Sequence, residues 1–252
     1  MQIFLKSHPV VSGAEHLIQT MQLDHIRTWI FDLDNTLYRA DVSFFADIGE
    51  KMTNFISRYL AMQPEAARLL QEEYYHDYGA TLSGMMDIHG MDPAEFLDYV
   101  HDVDLSVLTP NPALREAIAA LPGRKLIFTN GSRGHIRNVA GHLNLLDLFE
   151  GGFAIEDANY VPKPKRSAYE AFNQVFDIDP ATSIFFEDTI RNLEVPKEMG
   201  MKTILVGNDV HQHADGHVGA TDPGTGRHFE ATYVDGVTSD LAAWLMDNNP
   251  AK

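Results

Sequence analysis

The sequence predicts an α/β protein, with a doubly wound parallel sheet and an inserted all-helical cap. Short apolar runs recur along the chain, and helical patterns separate the later ones. One long stretch between the first and second runs shows helical patterns alone. Strands that alternate with helices form a parallel sheet whose two faces are both covered, so the helical stretch is predicted to be an insertion into that fold.

Each predicted strand is an apolar run of a length typical of buried strands. The main runs are TWIFDL at 28–33, KLIFTN at 125–130, SIFFED at 183–188 and KTILVG at 202–207. A last strand is predicted at TYV, residues 232–234, before the final helix. The Gly- and His-rich segment 211–228 is predicted to be a loop.

Helices between the later strands are predicted from apolar residues at helical spacing. Ser132 is expected to cap the first of these helices. The two apolar stripes consist of Ile136, Val139, Ala140 and Leu143, and of Tyr169, Phe172, Val175 and Phe176.

The inserted stretch is predicted to contain several helices. Pro64 opens one of them, and Asn111 followed by Pro112 is typical of a helix start, because Asn caps the first turn and Pro fits within it. An earlier helix has one apolar face, formed by Phe44, Phe45, Ile48, Met52, Phe55, Ile56, Tyr59 and Leu60. We therefore predict a core domain of residues 1–39 and 121–252 and a helical cap domain of residues 40–120.

Charge and composition exclude several classes of function. The chain has 252 residues with 36 acidic and 19 basic side chains, a net charge of −17. Such a surface repels nucleic acid polymers and anionic membranes, which leaves small molecules as the expected partners. There is no cysteine for a thiol nucleophile or a thiolate metal site. No secretion signal or membrane-spanning run is recognised, so we expect a soluble cytoplasmic protein, either a monomer or a homodimer.

Polar side chains stand at the carboxyl ends of three predicted strands, where parallel sheets bind their ligands. These residues are Asp32 and Asp34 after the first strand, Thr129 and Asn130 after the second, and Glu187 and Asp188 at 183–188. Lys163 lies just ahead of a helix that leads back to the sheet. We expect all of them to meet at one rim.

Carboxylates this close together repel one another, and a hard dication removes that repulsion. Carboxylate and carbonyl oxygens are ligands suited to Mg²⁺, so Mg²⁺ is the expected cofactor. With the metal and Lys163, the rim could accept a phosphate. Asp32 would then act as a nucleophile, and Asp34 would exchange a proton with the leaving group and with water.

Taken singly, each of these signals has an ordinary structural explanation. Paired acids often start a solvated turn, an Asn-Gly pair is a common turn, and Glu187 and Asp188 could cap a helix. The histidines His101 and His135 are interpreted as structural. It is the order of all the elements at successive strand ends that favours a catalytic site.

The chain resembles the haloacid dehalogenase superfamily in the order of four short motifs, DLDNT, FTN, KP and ED. The resemblance covers nearly the whole chain from Arg27 onward. The resemblance implies a Rossmann-like core, a mobile cap and an aspartyl nucleophile at Asp32, with Asp34 as acid and base. It also implies that phosphate is bound by Thr129, the amides near Asn130 and Gly131, and Lys163. The implied metal ligands are Asp32, the backbone carbonyl of Asp34, and Asp188, with Glu187 bound to the metal or adjacent to it.

Three further segments resemble the pyrimidine 5′-nucleotidase branch of that superfamily. They are YYHDYGATLSGMM, YVHDVDLSVLTPNPAL and IFTNGSRGHIRNVAGHLNL. The likeness implies a small phosphorylated substrate, a pyrimidine nucleoside 5′-monophosphate, contacted in the cap by Tyr75, Tyr78 and Thr81. At helical spacing these tyrosines also fit a cap core. The alternatives are a phosphatase or phosphomutase acting on a sugar phosphate or other small phosphomonoester, and a phosphate-binding regulator without turnover.

Overall fold

A computed structural model describes residues 21–40, 42–207, 210–212, 218–221 and 228–252. Its strands are β1 Thr28–Phe31, β2 Arg124–Phe128, β3 Gly151–Phe153, β4 Ser183–Glu187, β5 Lys202–Val206, β6 Val210–Gln212, β7 Val218–Thr221, β8 His228–Ala231 and β9 Gly236–Thr238. Its α-helices are α1 Val42–Tyr59, α2 Pro64–Tyr78, α3 Thr81–His89, α4 Pro93–Val100, α5 Pro112–Ala119, α6 Arg133–His142, α7 Arg166–Phe176, α8 Glu194–Met199 and α9 Leu241–Asp247.

Six strands form one parallel sheet in the order β3-β2-β1-β4-β5-β9. The central strand β1 pairs with β2 on one side and with β4 on the other. The chain therefore runs outward from β1 in two directions, which creates a topological switch point at the carboxyl end of β1. The predicted α/β fold with a parallel sheet is confirmed.

Alternating side chains divide the interior between the two faces of the sheet. Trp29 and Phe31 of β1 belong to one buried cluster, whereas Ile30 between them belongs to the other. Phe31 stacks on Phe186 of β4 with ring centroids 4.8 Å apart. Because both faces are packed, each central strand contains at least three consecutive apolar residues, which is why these strands were predictable from the sequence.

The end of the chain differs from the prediction. Residues 232–234 are not a strand, because β8 ends at Ala231 and the last strand is β9, Gly236–Thr238. Gly236 sits opposite Ile204 of β5, and a Cβ there would lie 3.1 Å from Ile204 Cδ1. The absence of a side chain allows this close pairing, but the short GVT run has no strong pattern of its own.

The segment 211–228 is also not the continuous loop that was predicted. Its described parts form strands of an antiparallel sheet in the order β6-β7-β8, while residues 213–217 and 222–227 lie outside the described structure. Val218 and Ala231 are buried against one face of the main sheet. Strands of three or four residues are too short to give a periodic signal, so composition alone favoured a loop.

Helices α1 to α4 form a cluster with its own buried side chains, which include Phe55, Ile56 and Phe96. Pro64 opens α2, and Asn111 caps α5 by accepting a hydrogen bond from the Leu114 amide, as predicted. Helix α5 lies within the predicted cap range of 40–120, yet it packs against α9 beside the sheet. The two-domain division stays a prediction, and this packing favours a cap that ends before α5.

Among the described residues, no helix combines the length and apolar character needed to cross a membrane.

The close contact between α2 and α3 depends on a glycine. A Cβ on Gly84 would lie 2.4 Å from Tyr74 Cγ and 2.7 Å from Tyr74 Cβ. We predict that Gly84→Ala lowers the free energy of unfolding by about 1–3 kcal/mol, because a buried ring must move to admit the methyl group. Urea unfolding followed by circular dichroism measures this change.

Gly141→Ala is the matched control, since a Cβ at this position in α6 would meet no heavy atom within 4 Å. That variant should gain about 0.5–1 kcal/mol from the higher helix propensity of alanine. Equal shifts of the unfolding midpoint for both variants would show that the contact with Tyr74 imposes no constraint.

Candidate active site

Asp32 follows the central strand directly and stands at the switch point of the sheet. Its amide donates to the Phe186 carbonyl at 2.9 Å, which continues the pairing of β1 with β4 by one residue. The next residues turn away from the sheet, and Asn35 takes a left-handed conformation with φ of 58°. Asn tolerates this region better than most side chains, and the turn begins at Asp34, whereas Asp32 still lies at the end of the strand.

Lys163 is the cation at the centre of the site. Its side chain is buried, and Nζ donates to Asp32 Oδ1 at 2.7 Å, to Glu187 Oε2 at 2.6 Å and to the Phe128 carbonyl at 2.9 Å. These three acceptors use all three hydrogens of the ammonium group. Burial on its own would lower the pKa of Lys163, but Asp32 and Glu187 outweigh it and hold that pKa above its ordinary value.

Asn130 fixes the main chain at Lys163. The Lys163 amide donates to Asn130 Oδ1 at 2.8 Å, and Asn130 Nδ2 donates to the Lys163 carbonyl at 3.2 Å. This reciprocal pair connects the end of β2 to the segment ahead of α7. Asn130, which the sequence predicted to bind phosphate, therefore positions the buried lysine in this structure.

Thr129 and Gly131 lie beside Asn130. The Gly131 amide donates to Thr129 Oγ1 at 3.0 Å, and Thr129 is 2% exposed. A Cβ on Gly131 would lie 3.0 Å from Cδ2 of the His135 ring, so only a glycine fits beside that histidine without displacing it. The expected phosphate-binding residues thus occur together at the end of β2.

Three carboxylates meet beside Lys163. One oxygen from each of Asp32, Glu187 and Asp188 lies within 4.8 Å of the others. Burial, followed by the charge of Glu187, raises the pKa of Asp32 to about 8, and the same causes raise the pKa of Asp188 well above its usual value. A set of hard oxygen donors with more negative than positive charge fits a divalent cation such as Mg²⁺.

The carboxylate of Asp34 does not point into this cluster. Its Oδ1 accepts a short hydrogen bond from the Tyr38 hydroxyl and lies 2.7 Å from His135 Nε2. Burial on its own would raise the pKa of Asp34, but the charge of His135 and the hydrogen bonds from His135 and Tyr38 outweigh it and lower that pKa to about 2. The two aspartates therefore occupy electrostatically opposite environments.

His135 is a site residue that sequence reasoning missed, since it was interpreted as structural together with His101. Its ring stacks on that of His101 with centroids 4.4 Å apart. Burial, with a further contribution from His135, lowers the pKa of His101 to about 3. Asp34 and His135 lie far apart in the sequence, so neither spacing nor periodicity could have brought them together.

A cavity of about 880 Å³ opens next to these residues, between helices α1 to α4 and the end of β2. Tyr75 and Thr81 line it together with Asn130 and His101, whereas Tyr78 packs edge-on against Tyr74 at 5.7 Å. Arg191 Nη2, from the segment after Asp188, donates to the Tyr75 hydroxyl at 2.7 Å. The apolar part of the wall comprises Phe45, Ile48, Met52, Leu82, Phe96, Leu97, Val100 and Ile155.

Comparison with known proteins gives curated relatives at the sequence level. "Phosphate metabolism protein 8" of Saccharomyces cerevisiae is 27% identical over 198 residues, which is 71% of this chain and 61% of that protein. The chain therefore spans somewhat less than two thirds of the length of this relative.

Solved structures share the fold at lower identity. A HAD phosphatase from Thermococcus onnurineus matches with a TM-score of 0.57 at 15% identity, over 86% of this chain and 94% of that one. L-2-haloacid dehalogenase from Xanthobacter autotrophicus matches with a TM-score of 0.54 at 18% identity, over 88% of this chain and 97% of that one. At this identity the two matches show the fold alone.

The sequence of residues 26–200 matches the family of haloacid dehalogenase-like hydrolases. This range begins just before β1 and ends after α8, so it includes every residue of the cluster around Lys163. The chain therefore belongs to the haloacid dehalogenase-like hydrolase family and is an enzyme of that family.

Proposed function

We propose that this hydrolase is a Mg²⁺-dependent phosphomonoesterase that forms an aspartyl-phosphate at Asp32. We further propose that its preferred substrates are pyrimidine nucleoside 5′-monophosphates. The observation that carries the phosphatase assignment is the position of Asp32, which accepts from the Lys163 ammonium and belongs to the acidic cluster. The nearby carboxylate of Asp34 is held apart from that cluster.

Asp32 and Asp188 are the side chains best placed to hold the metal, with the Asp34 carbonyl as a third ligand. Glu187 is less available, because Oε2 accepts from Lys163 and Oε1 accepts from the Thr189 amide at 3.1 Å. We therefore place Glu187 beside the metal instead of on it, where it anchors Lys163. Bound Mg²⁺ would place positive charge next to the phosphate and the attacking carboxylate, which would reduce the repulsion between these two anions.

The proposed reaction has two displacements at phosphorus. In the first, an Asp32 oxygen bonds to phosphorus while the bond to the leaving oxygen breaks, and that oxygen takes a proton from Asp34. In the second, water bonds to phosphorus while the bond to Asp32 breaks, and Asp34 takes the proton of the water. Lys163 stabilises the negative charge that persists on Asp32 and the phosphoryl oxygens.

The lowered pKa of Asp34 leaves this carboxylate ionised at neutral pH, which is the state that the base of the second step must have. Its role as an acid in the first step requires a bound proton. A phosphate dianion brought close to Asp34 favours proton uptake, because nearby negative charge raises the pKa of a carboxyl group.

The cavity supports a nucleotide over a sugar phosphate. Its wall is mainly apolar, with a few polar groups such as Thr81 and Tyr75. An apolar wall accommodates the faces of a planar base, whereas the many hydroxyl groups of a sugar would lose water without gaining partners. A silent phosphate-binding regulator is the less economical proposal, because binding alone does not require both Asp32 and Asp34.

Hydrolysis of 4-nitrophenyl phosphate in Mg²⁺ tests the proposed reaction. We predict turnover that stops with a chelator and returns with added Mg²⁺. Asp32→Asn should reduce kcat at least about 10³-fold, because the amide keeps the shape of the side chain but cannot attack phosphorus.

Asp24→Asn, on the segment before β1, is a control for the same chemical change outside the site. It should leave kcat unchanged. Turnover by Asp32→Asn within a few-fold of the unmodified protein would rule out the covalent mechanism, and full activity in excess chelator would rule out the metal assignment.

Lys163→Met tests the charge balance of the buried cluster. We predict a loss of about 3–5 kcal/mol in the free energy of unfolding near neutral pH, because Asp32 and Glu187 would be left buried without their cation. A carboxyl group whose pKa is higher in the folded protein binds a proton on folding, so stability falls as pH rises. The loss should therefore be larger at about pH 8 than at about pH 5.

Lys125→Met is the control, since this half-buried lysine on β2 donates to the Gly123 carbonyl at 3.3 Å. It should change stability by less than about 1 kcal/mol at either pH. Urea unfolding in the presence of chelator compares the two variants, and equal losses would contradict a special role for Lys163.

Thr81→Val tests whether the cap selects the base. Thr81 Oγ1 donates to the Gln71 carbonyl at 3.1 Å, which leaves its lone pairs to accept from a substrate. We predict that the variant loses about tenfold in its preference for CMP over AMP, since an unpaired buried polar group costs ~1–3 kcal/mol.

Thr81→Ser keeps the hydroxyl and should keep the preference, while hydrolysis of phenyl phosphate should change little in either variant. Tyr78→Phe addresses the remaining cap prediction, because it removes only the hydroxyl of a ring packed on Tyr74. An unchanged substrate ranking in both Thr81→Val and Tyr78→Phe would assign these residues to the cap core.

A further inference from the structure

Described side chains hold the carboxylate of Asp34 through one of its two oxygens. Both hydrogen bonds that described side chains make with it end on Oδ1, one from the Tyr38 hydroxyl and one involving His135 Nε2 at 2.7 Å. Two contacts on the same oxygen fix the rotation of the carboxylate and leave Oδ2 as the oxygen that can face a substrate. A proton exchanged with the leaving group would therefore be carried by Oδ2.

His135 has little freedom to leave this position. Its side chain is 2% exposed, and its backbone amide donates to Ser132 Oγ at 3.1 Å at the start of α6. Its Nδ1 is buried without a hydrogen-bond partner in the part of the chain that the structure describes. An ionised carboxylate can only accept a hydrogen bond, so Nε2 is assigned as the donor to Asp34.

His101 supports His135 from the cap. It follows α4, its ring stacks on the His135 ring at 4.4 Å and 26°, and its Nδ1 lies 3.0 Å from Ser132 Oγ. Ser132 thus contacts both histidines. Since His101 also lines the cavity, the structure connects the substrate cavity to Asp34 through two packed rings.

We propose that His135 is a positioning residue that directs Asp34 Oδ2 toward the leaving-group oxygen, and that His101 completes this support from the cap. The inference rests on the proposed phosphatase function. His135 itself makes no contact with the reacting atoms; it acts through the orientation of Asp34. Accurate proton transfer to the leaving group would then depend on the cap being seated against α6.

The test compares two small substrates, phenyl phosphate and 4-nitrophenyl phosphate, which differ in how much the departing oxygen needs a proton. The measured quantity is kcat/KM, which reports the step in which the leaving group departs. For His135→Phe we expect a loss of about 10–100-fold on phenyl phosphate, since misplacing a catalytic group by about 1 Å costs that much. On 4-nitrophenyl phosphate the loss should stay below about threefold.

His135→Gln is the rescue variant, because its amide nitrogen can donate to Asp34 from a similar position. It should restore kcat/KM for phenyl phosphate to within about threefold of the unmodified enzyme. If His135→Phe does not fold, His135→Gln replaces it in the comparison. A loss confined to phenyl phosphate in the Gln variant would then indicate that Asp34 is imperfectly positioned. Equal losses on the two substrates would contradict the positioning role.

A double-mutant cycle identifies the group through which His135 acts. In an Asp34→Asn background, His135→Phe should cost less than about twofold more on either substrate, because the group to be positioned has been removed. His101→Ala should also lower kcat/KM for phenyl phosphate more than for 4-nitrophenyl phosphate, but by a smaller factor than His135→Phe. His89→Ala is the matched control, because this cap histidine lies 2.8 Å from the Tyr74 hydroxyl and is not among the residues that line the cavity. It should leave kcat/KM for both substrates unaffected.

Two outcomes would overturn the inference while leaving the phosphatase function in place. One is an equal loss on both substrates in His135→Phe, which would make the histidine a structural residue. The other is full additivity with Asp34→Asn. Failure of the proposed function is distinct from these, since the unmodified enzyme would then hydrolyse neither substrate in Mg²⁺.

Discussion

The ion pairs of Lys163 with Asp32 and Glu187 are the interaction on which the site depends. A buried ammonium between two buried carboxylates is stable only where all its hydrogens are accepted, and the Phe128 carbonyl accepts the third. This arrangement joins β1, β2 and β4 at their carboxyl ends with the segment ahead of α7. The same contacts that satisfy the lysine also hold Asp32 in place, so structure and chemistry share one set of hydrogen bonds.

Asp32 and Asp34 show how one short turn separates two chemical roles. They are two residues apart, yet burial and neighbouring carboxylates raise the pKa of Asp32, whereas His135 and Tyr38 hold that of Asp34 low. The chain leaves the sheet after Asp32, and Asn35, directly after Asp34, takes a left-handed conformation, so the two carboxylates have different neighbours. A pair of identical side chains can then serve as nucleophile and as proton carrier, because their surroundings differ.

The sequence was most informative where burial imposes a pattern. The central strands are covered on both faces, so their apolar runs predicted them, and the acids and Lys163 that follow or precede them could be placed at one rim. The short strand β3, with the sequence GGF, and strands β6 to β9 carry too few side chains to show a period.

The contact of His135 with Asp34 depends on the tertiary packing of α6 beside the turn after β1. Nothing local to either residue encodes it. The same holds for the placement of α5, whose apolar stripe fits a cap or a core equally well until its partner α9 is known. Local pattern identifies elements, while distant contacts decide what those elements face.

The position of helices α1 to α5 between β1 and β2 in the sequence has a consequence for folding. Thr28 must pair with Arg124, and with Ser183 on its other side, so the central strand has no partner close in sequence. Closing such long loops costs chain entropy before any sheet contact is gained, which slows folding. The cap helices contact their neighbours in sequence, and their early association would bring the ends of β1 and β2 closer together. Helices α1 to α4 would thereby shorten the search that assembles the sheet.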